Sequence, residues 1–398
     1  MNLKFYHDAP MKYNKKDKEY YSPSFNYQVW KRYLENFDGL DVHTRSIEIN
    51  QSDLRKELNL AGGPNINIEP IQSYQNIKSL THLLKIIKEI SNTVNDNYFF
   101  VLRLPSVIGF LTGLILIIKR KKFLVETVGC SKESFYFKGG LIPKLISYPS
   151  YIIQKFVTRK ASVATYITSD FLQKRYPTDG LEFSTVSNVH FNFDKESQKN
   201  IEKKLEKYSK KNVSDSYKIG LIGSLDVNYK GHDQALKALN ILRLKGYDIE
   251  LYFVGPGNFS NWSPLIKKLK LREQVHYLGV MPAGEIINEW LSKMDFYIQP
   301  SLTEGHGRAL VEAVYNGCIA FGSNVGGIPD SLNKEYTFTR GDHEELASLI
   351  EKSILENKYG LNNIIVNFNN IKKYSTSVIE KKRNDALKTY KKIVEEEI

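Results

Sequence analysis

Two carboxylates flank a glycine-rich turn in the second half of the chain, and their setting suits a ligand that contains a sugar and a phosphate. Glu304 precedes Gly305-His306-Gly307, and seven residues separate it from Glu312. Helical spacing of apolar residues begins after the turn, which predicts Glu304 in a loop and Glu312 inside a helix. The amides at that helix start, with the positive end of its dipole, would face an anion. We therefore expect a sugar-phosphate site here.

A lysine ahead of a second helix start predicts a further contact to phosphate. A predicted strand at residues 217–221 is followed by Gly223, a polar loop and Lys230-Gly231-His232-Asp233, which opens an amphipathic helix. One positive charge and several helix amides would converge there. Strand ends rich in glycine form the expected ligand edge of an open α/β sheet. The alternative interpretation of Lys230 is a solvent-exposed lysine in a loop.

Length and composition indicate a globular protein with two domains. A chain of 398 residues is too long for one ordinary core, and 41% hydrophobic with 25% charged residues is typical of soluble proteins. Cys130 and Cys318 are isolated, which offers neither a disulfide framework nor zinc spacing and favours a reducing compartment. The N-terminus lacks a long apolar segment, so we expect no signal peptide.

The positive charge is concentrated in the first half of the chain. Residues 1–216 contain 33 Lys and Arg against 22 Asp and Glu, whereas residues 217–398 contain 23 against 22. A basic half suggests an anionic partner, which could be nucleic acid, a phosphorylated substrate or an anionic lipid surface. The alternative is a lysine-rich surface that is simply solvated.

Two apolar segments bear on membrane contact. Residues 107–118 are a run of twelve apolar and small residues, too short for the roughly 20 that cross a bilayer, so a buried helix is predicted. Residues 141–157 mix apolar and aromatic residues with lysines and form a candidate interfacial membrane segment. Pro143 and Pro149 in that segment predict short helical pieces instead of one long helix.

Alternating strand and helix patterns predict a mostly parallel sheet in each half. The first domain is expected at residues 1–190, a charged and partly helical linker at 191–216, and the second domain at 217–375. Residues 9–24 are polar and are predicted to be an exposed loop. Helices are predicted over residues 25–37 and 78–90. The main predicted strands are at residues 3–6, 42–49, 98–102, 123–128, 161–168, 217–221, 250–254, 275–278 and 296–299.

Several short motifs follow one another in order in the second half. They are Gly223 with Lys230-Gly231-His232-Asp233, Phe253-Val254-Gly255-Pro256-Gly257, Tyr277-Leu278-Gly279, Pro300-Ser301 with Glu304-Gly305-His306-Gly307, Glu312-Ala313 and Gly326-Gly327-Ile328-Pro329. Over about residues 217–340 this set resembles the nucleotide-sugar domain of the retaining GT-B glycosyltransferases, glycosyltransferase family four. The first half is less similar, and most resembles capsular and exopolysaccharide transferases through Arg103-Leu104-Pro105-Ser106 and Tyr166-Ile167-Thr168. The resemblance implies two Rossmann-like domains facing across a cleft, with a C-terminal helix (376–398) packed back on the first.

The resemblance also implies roles for individual residues. Lys230 would neutralise the donor diphosphate, and Glu304 would meet the sugar hydroxyls or the positive charge of an oxocarbenium-like transition state. Glu312 would accept hydrogen bonds from the ribose hydroxyls, the alternative being a solvated acid on a helix face. His306 is expected to pack or to contact the sugar. The residues expected to bind the donor are Gly223, Ser224, Lys230, Gly255, Gly257, Val280, Glu304, Gly305, His306, Gly307, Arg308 and Glu312.

The chain departs from the family pattern in its cationic site and in its first domain. Ser224 stands where family members usually carry an arginine, so Arg103 or Arg308 is the candidate for a second cation. The family histidine after the strand at 123–128 is absent, and Glu126 is the candidate catalytic residue in its place, with the donor phosphate as the alternative base. The acceptor-side candidates are His7, Asp8, Tyr20, Tyr21 and Arg103.

These features predict a glycosyltransferase that moves a sugar from a nucleoside diphosphate sugar, with a UDP-sugar favoured, to a polysaccharide or lipid-linked oligosaccharide. The resemblance implies retention of configuration and a role in capsule, exopolysaccharide or other cell-surface glycan synthesis. No Asp-x-Asp motif is positioned for a metal, so we expect metal-independent transfer and no cofactor beyond the co-substrate. The expected location is the cytoplasm, at the inner face of the cell membrane, with an anionic membrane surface and no nucleic acid as partner.

Two other hypotheses remain open at this point. A nucleotide-sugar epimerase of GT-B fold would turn over the donor with no acceptor present. A non-catalytic or nucleic-acid-directed GT-B protein would use the basic face, and nucleic-acid binding would require aromatic residues interleaved in a basic groove. The sequence has no clear stripe of that kind.

Overall fold

The computed structural model describes the chain except for residues 51–57, 72–79, 96–97, 190, 283 and 397–398. Two parallel sheets, each packed with helices, form two Rossmann-like domains that face each other across a cleft. This is the predicted GT-B architecture, and the prediction is confirmed.

Seven parallel strands form the sheet of the first domain. Their bounds are β1 (Asn2–Tyr6), β4 (Leu40–Thr44), β7 (Ile66–Pro70), β8 (Tyr98–Leu104), β9 (Leu124–Thr127), β10 (Val163–Tyr166) and β11 (Leu181–Phe183). Their order in the sheet is β11-β10-β9-β8-β1-β4-β7. The central strands read as continuous apolar runs because helices cover both of their faces. The helices of this domain are α1 (Tyr27–Leu34), α2 (Leu80–Thr93), α3 (Val107–Ile118), α4 (Ser131–Tyr136), α5 (Leu141–Arg159) and α6 (Phe171–Arg175).

A small four-stranded sheet lies beside the first domain. It contains β2 (Met11–Asn14), β3 (Glu19–Ser22), β5 (Ser46–Ile49) and β6 (Asn59–Leu60) in the order β5-β2-β3-β6. The predicted exposed loop at residues 9–24 is therefore wrong in part, because β2 and β3 pair as an antiparallel hairpin. The predicted strand at 42–49 is divided between β4 and β5, which belong to different sheets.

Six parallel strands form the sheet of the second domain. They are β12 (Tyr217–Ile222), β13 (Ile249–Val254), β14 (Val275–Tyr277), β15 (Phe296–Gln299), β16 (Ile319–Ser323) and β17 (Thr337–Phe338), in the order β14-β13-β12-β15-β16-β17. The helices are α7 (Lys195–Ser209), α8 (His232–Leu244), α9 (Ser263–Lys268), α10 (Glu285–Lys293), α11 (Arg308–Tyr315), α12 (Ile328–Ser331), α13 (His343–Leu355) and α14 (Asn357–Ile371).

The segment expected to link the domains contains a helix that packs on the second domain. Ile201 and Tyr208 of α7 are buried in that domain's core. The ammonium of Lys204 donates to the carbonyl oxygen of Ser292 at 2.7 Å. Residues 195–209 are therefore part of the second domain, because a buried stripe on a highly charged helix is enough to anchor it.

Helix α5 is continuous, contrary to the predicted short pieces. Pro143 lies in its first turn, where no backbone donor is needed, so only Pro149 interrupts the interior. Contacts on the buried face of α5 stabilise the helix despite Pro149. The side chain of Gln154 accepts from the amide of Ser131 and donates to the carbonyl of Gly129, each at 2.9 Å.

The C-terminal helix α15 (Thr376–Glu395) lies against the first domain. Ala386, Leu387 and Tyr390 are buried in the core of the first sheet. The Tyr390 hydroxyl accepts from the amide of Phe100 at 2.8 Å.

The helix predicted at 78–90 begins at Leu80 in the described part of the chain, and residues 78 and 79 lie outside it. In this described part, no helix has both the length and the apolarity of a membrane span.

Candidate functional site

A cavity of about 900 Å³ lies between the facing edges of the two sheets. The second domain contributes Gly223, Lys230, the 304–308 turn and Glu312 to its wall. The first domain contributes Arg103, which lies near the carboxyl end of β8. Most residues predicted to bind the donor, together with the acceptor-side candidates His7 and Arg103, therefore lie around a single cavity.

The centre of the second-domain wall is an ion pair. The ammonium of Lys230 donates to Oε2 of Glu304 at 2.8 Å, and both side chains are largely buried. Burial alone would lower the pKa of Lys230, but the charge and hydrogen bond of Glu304 outweigh it and raise the pKa. Lys230 is therefore a permanent positive charge at the cavity wall at any physiological pH.

A buried polar chain fixes the Glu304 carboxylate. Ser301 Oγ and Gln299 Nε2 lie 3.2 and 3.3 Å from Oε2 of Glu304, as donors. The hydroxyl of Tyr297 donates to Oε1 of Gln299 at 2.9 Å, which orients the amide. Sequence reasoning missed Gln299, although a polar residue at the end of a buried apolar strand was a signal.

Two glycine turns bring the loops of this wall together. Gly231 has φ +76°, and a Cβ there would lie 1.9 Å from the carbonyl oxygen of Pro300. Gly326 has φ +55°, and a Cβ there would lie 1.7 Å from the carbonyl oxygen of Glu304. Only glycine allows these approaches, which seat the Lys230 loop and the Gly326 loop against the loop after β15.

We expect Gly231→Ala to destabilise the protein far more than Gly246→Ala. Both positions have positive φ, but nothing lies within 4 Å of a Cβ at Gly246. Backbone strain should cost about 1 kcal/mol in each variant, and the clash with Pro300 should add about 1–3 kcal/mol at Gly231. Urea unfolding of the two variants measures the difference. Equal free energies of unfolding would contradict the close approach of the two loops.

The start of α11 presents backbone donors to the cavity. Gly307, at φ +77°, caps the helix without a side-chain acceptor for its first amides. Arg308 at the first helical position is exposed and lines the cavity. An anion placed here would meet open amides, the helix dipole and a guanidinium.

Glu312 lies one turn into α11 and faces the same cavity. Burial raises the pKa of its carboxyl group, with Arg308 acting in the opposite direction. Among the described residues, none donates a hydrogen bond to this carboxylate. A partly buried carboxylate without a protein donor can accept hydrogen bonds from a ligand.

His306 is buried between the domains and lines the cavity. Its Nδ1 lies 3.3 Å from Ser187 Oγ, and its ring meets the ring of Tyr374 edge to face. Burial, followed by the charges of Lys373 and Arg308, lowers the pKa of His306 to about 3. The imidazole is neutral at physiological pH and is a weak base, in line with the packing or contact role expected from the sequence.

Gly255, Gly257 and Val280 lie beside the cavity and not in its wall. A Cβ at Gly255 would lie 2.3 Å from the carbonyl oxygen of Gly223, so this turn supports the wall directly. The hydroxyl of Tyr277 donates to the carbonyl oxygens of both Gly255 and Gly257, at 3.0 and 3.2 Å. Val280 is 46% exposed at the rim of the sheet. Ser224 also lies outside the wall.

Glu126 is not where a catalytic residue is needed. Its Oε2 accepts from Nη1 of Arg103 at 2.7 Å, and its Oε1 accepts from the Tyr33 hydroxyl at 2.6 Å. The carboxylate is 7% exposed and lies behind the cavity wall. The prediction that Glu126 replaces the family histidine is therefore corrected: Glu126 holds Arg103 and Tyr33 in position.

The acceptor-side candidates separate into two groups. Arg103 and His7 line the cavity, and Nδ1 of His7 lies 3.1 Å from the carbonyl oxygen of Arg103. Asp8 instead accepts from the first amides of α3, at Val107 and Ile108. Tyr20 and Tyr21 lie on β3 in the small sheet, with the Tyr21 hydroxyl donating to Asp17. The side chains of Asp8, Tyr20 and Tyr21 do not line the cavity, and an acceptor role for them stays a prediction.

Sequence reasoning missed Arg32 and Arg383, which also line the cavity. Arg32 lies on α1 and Arg383 on α15, so 350 residues of chain lie between them. No local motif marks either residue, and only the return of α15 onto the first domain brings them together. Among the described residues, no three His, Cys, Asp or Glu side chains are close enough to hold a metal ion.

The sequence matches one family model and is similar along nearly its whole length to a known protein. A family model described as Glycosyl transferases group 1 matches residues 198–372. The chain is 37% identical to Protein CapJ of Staphylococcus aureus over 396 residues, which cover 99% of this chain and 97% of that protein. The family match spans every second-domain residue of the candidate site.

Solved structures share the fold at low sequence identity. Anabaena Alr3699/HepE in complex with UDP has a TM-score of 0.65 at 15% identity, with 98% of this chain and 99% of that chain covered. The complex of the same protein with UDP-glucose has a TM-score of 0.64 at 15% identity, with 98% and 100% covered.

Proposed function

The chain belongs to the group 1 glycosyltransferases and is therefore an enzyme that transfers sugars, and on this premise we propose its donor, its acceptor class and its site. The donor is a nucleoside diphosphate sugar, with a UDP-sugar favoured. The acceptor is a polysaccharide or a lipid-linked oligosaccharide in capsule, exopolysaccharide or other cell-surface glycan synthesis. Similarity to CapJ along nearly the whole chain supports the acceptor class, and the UDP and UDP-glucose complexes of HepE support the donor.

The observation that carries this proposal is the Lys230–Glu304 pair beside the open amides of α11. The donor diphosphate replaces Glu304 as the partner of the Lys230 ammonium. It also contacts the α11 amides and Arg308. These groups stabilise the negative charge that grows as the diphosphate leaves. The released Glu304 carboxylate then faces the sugar, where positive charge develops.

The transfer is proposed to retain configuration, with the departing phosphate as the base. The bond from the anomeric carbon to the phosphate oxygen breaks while the bond to the acceptor oxygen forms, and the acceptor proton passes to that phosphate oxygen. Both Glu126 oxygens are engaged by Tyr33 and Arg103, and the pKa of His306 is about 3, which leaves both poorly suited to take the proton. Lys230, Arg308 and the α11 amides supply the positive charge, so no metal is required in this scheme.

Glu312 is proposed to accept hydrogen bonds from the ribose hydroxyls, which gives a direct test of the donor site. UDP should bind the wild-type protein about tenfold more tightly than 2′,3′-dideoxy-UDP, because a charged acceptor makes strong hydrogen bonds to hydroxyls. In Glu312→Gln this preference should fall to about threefold or less. Calorimetric titration of both proteins with both nucleotides measures it. An unchanged preference in the variant would exclude the proposed ribose contact and weaken the donor proposal.

The face of α5 is proposed to dock on an anionic membrane, where a lipid-linked acceptor would be found. Leu141, Ile142 and Leu145 on this face are 73%, 70% and 67% exposed. Residues 134–169 contain five Lys and Arg and no Asp or Glu. An exposed apolar helix face among positive charges suits the interface of a bilayer with anionic headgroups. We therefore propose that the enzyme works at the inner face of the cell membrane.

We expect Leu141→Ser combined with Leu145→Ser to weaken sedimentation with phosphatidylglycerol vesicles by about tenfold or more, since each buried leucine contributes about 1.5–3 kcal/mol. The matched control is Leu244→Ser combined with Leu355→Ser, which alters two leucines that are 70% and 57% exposed on the second domain. The control should sediment like the wild type. Equal sedimentation of both double variants would contradict docking through α5.

A further inference from the structure

Three arginines converge on the first-domain wall of the cavity. Arg32 comes from α1, Arg103 from the end of β8 and Arg383 from α15, and all three line the cavity. They surround the carboxylate of Glu126, whose electrostatic environment includes each of them. Three elements far apart in sequence therefore direct positive charge to one place.

The arrangement leaves the arginines short of negative charge. Glu126 is the carboxylate at the centre of the group, and it forms its ion pair with Arg103 at 2.7 Å. Arg383 donates to the Ser187 carbonyl, and Arg32 donates to the Asn188 amide oxygen and the Tyr33 hydroxyl, all of which are neutral acceptors. Glu380 also lines the cavity, but its side chain is exposed to solvent.

Burial makes this excess of charge costly. Arg383 is only 5% exposed, and burial, followed by repulsion from Arg32, lowers its pKa to about 10. The Nε of Arg32 is buried and has no hydrogen-bond partner among the described residues. Buried donors and charges of this kind are normally satisfied, so the group is incomplete without an anion.

We propose that Arg32, Arg103 and Arg383 form a binding site for a phosphate group of the acceptor, separate from the donor diphosphate site. A phosphate carries nearly two negative charges, which matches the excess of two guanidinium charges over the single carboxylate of Glu126. A planar guanidinium group can donate two parallel hydrogen bonds to two oxygens of one phosphate. The three arginines belong to the first domain and Lys230 to the second, so the proposal assigns the two anions to different walls of one cavity. The assignment rests on the proposed function, because it presumes that the donor occupies the second domain.

The test uses inorganic phosphate as probe and the full-length chain, titrated at constant ionic strength with and without saturating UDP. Phosphate should bind the UDP-saturated protein, and Arg32→Gln and Arg383→Gln should each weaken that binding about tenfold or more. Neither substitution should change the affinity for UDP. Lys388→Gln is the matched control, since it removes one charge from an exposed position of α15 and should leave phosphate binding unchanged. Arg32 is less buried than Arg383, so Arg32→Gln should still fold and test the site if Arg383→Gln folds poorly.

Two results would overturn the proposal. Loss of phosphate binding on saturation with UDP, together with weaker UDP binding in Arg32→Gln, would assign the arginines to the donor diphosphate. Phosphate binding that is undetectable, or equal in all four proteins, would exclude the site. Failure of UDP itself to bind would instead refute the proposed function, so the two failures are distinguishable.

Discussion

Replacing Glu304 with glutamine should lower kcat for sugar transfer by about a hundredfold, the usual cost of removing one preorganised electrostatic group from an active site. Glutamine preserves size and can still receive hydrogen bonds from Ser301 and Gln299, so the fold should be intact. The affinity for UDP should stay the same or rise, because Lys230 is no longer neutralised by Glu304 in the ligand-free protein. Initial rates and UDP titration measure the two effects.

The matched control for this prediction is Glu351→Gln. Glu351 also forms an ion pair with a lysine, Lys245, and is similarly buried, but it lies away from the cavity. This variant should retain wild-type kcat. A Glu304→Gln enzyme with wild-type kcat would show that the carboxylate does not act on the reacting sugar.

Lys230→Met should lower kcat/KM by about a hundredfold and the affinity for UDP by about tenfold or more, because a hydrogen bond to a charged group contributes about 1.5–3 kcal/mol. The substitution keeps the aliphatic chain and removes the positive charge that pairs with Glu304. Lys230→Met should therefore weaken UDP binding, whereas Glu304→Gln should leave it unchanged or strengthen it. Thermal unfolding would establish that the variant is folded, since Glu304 keeps its donors Ser301 and Gln299.

Lys237→Met is the control for this substitution. Lys237 pairs with Asp233 at 3.1 Å on α8, where both side chains are partly exposed, close in sequence to Lys230 but outside the cavity. Its UDP affinity and kcat/KM should match those of the wild type. If Lys230→Met and Lys237→Met bind UDP equally well, Lys230 does not contact the diphosphate.

The second-domain half of the site could be predicted because its residues are close in sequence. Glu304, the 305–307 turn and Glu312 belong to one strand–loop–helix unit, and glycine and carboxylate spacing fixes their relation before any long-range packing. Lys230 follows the same rule at the neighbouring strand. Residue types and spacing along the chain were therefore enough to predict this wall. The buried Gln299 behind it was not predicted.

The first-domain wall could be predicted only in part, because Arg103 and His7 were candidates from the sequence and Arg32 and Arg383 were not. Arg32, Arg103 and Arg383 belong to three distant segments, and their meeting depends on α15 returning to the first sheet. Glu126 was the natural candidate from sequence, since it stands at the end of a central strand. Its burial and its bonds to Arg103 and Tyr33 are tertiary facts that no local pattern contains.

The errors in secondary structure have a common physical cause. The proline-containing helix α5 and the hairpin of β2 and β3 both have weak or unfavourable local signals. Each is stabilised by contacts with distant residues, which outweigh local propensity. By contrast, the apolar run at Val107–Ile118 has a strong local signal and is the buried helix that was predicted.

The proposed mechanism depends on a nucleoside diphosphate sugar binding to the second-domain wall through Lys230. The most direct test is calorimetric titration of the purified full-length chain with UDP-, dTDP- and GDP-sugars in buffer containing EDTA. At least one of these donors should bind with one site per chain, and Lys230→Met should weaken its binding by about tenfold or more. Absence of binding by every donor, or equal affinity in the wild type and Lys230→Met, would contradict it.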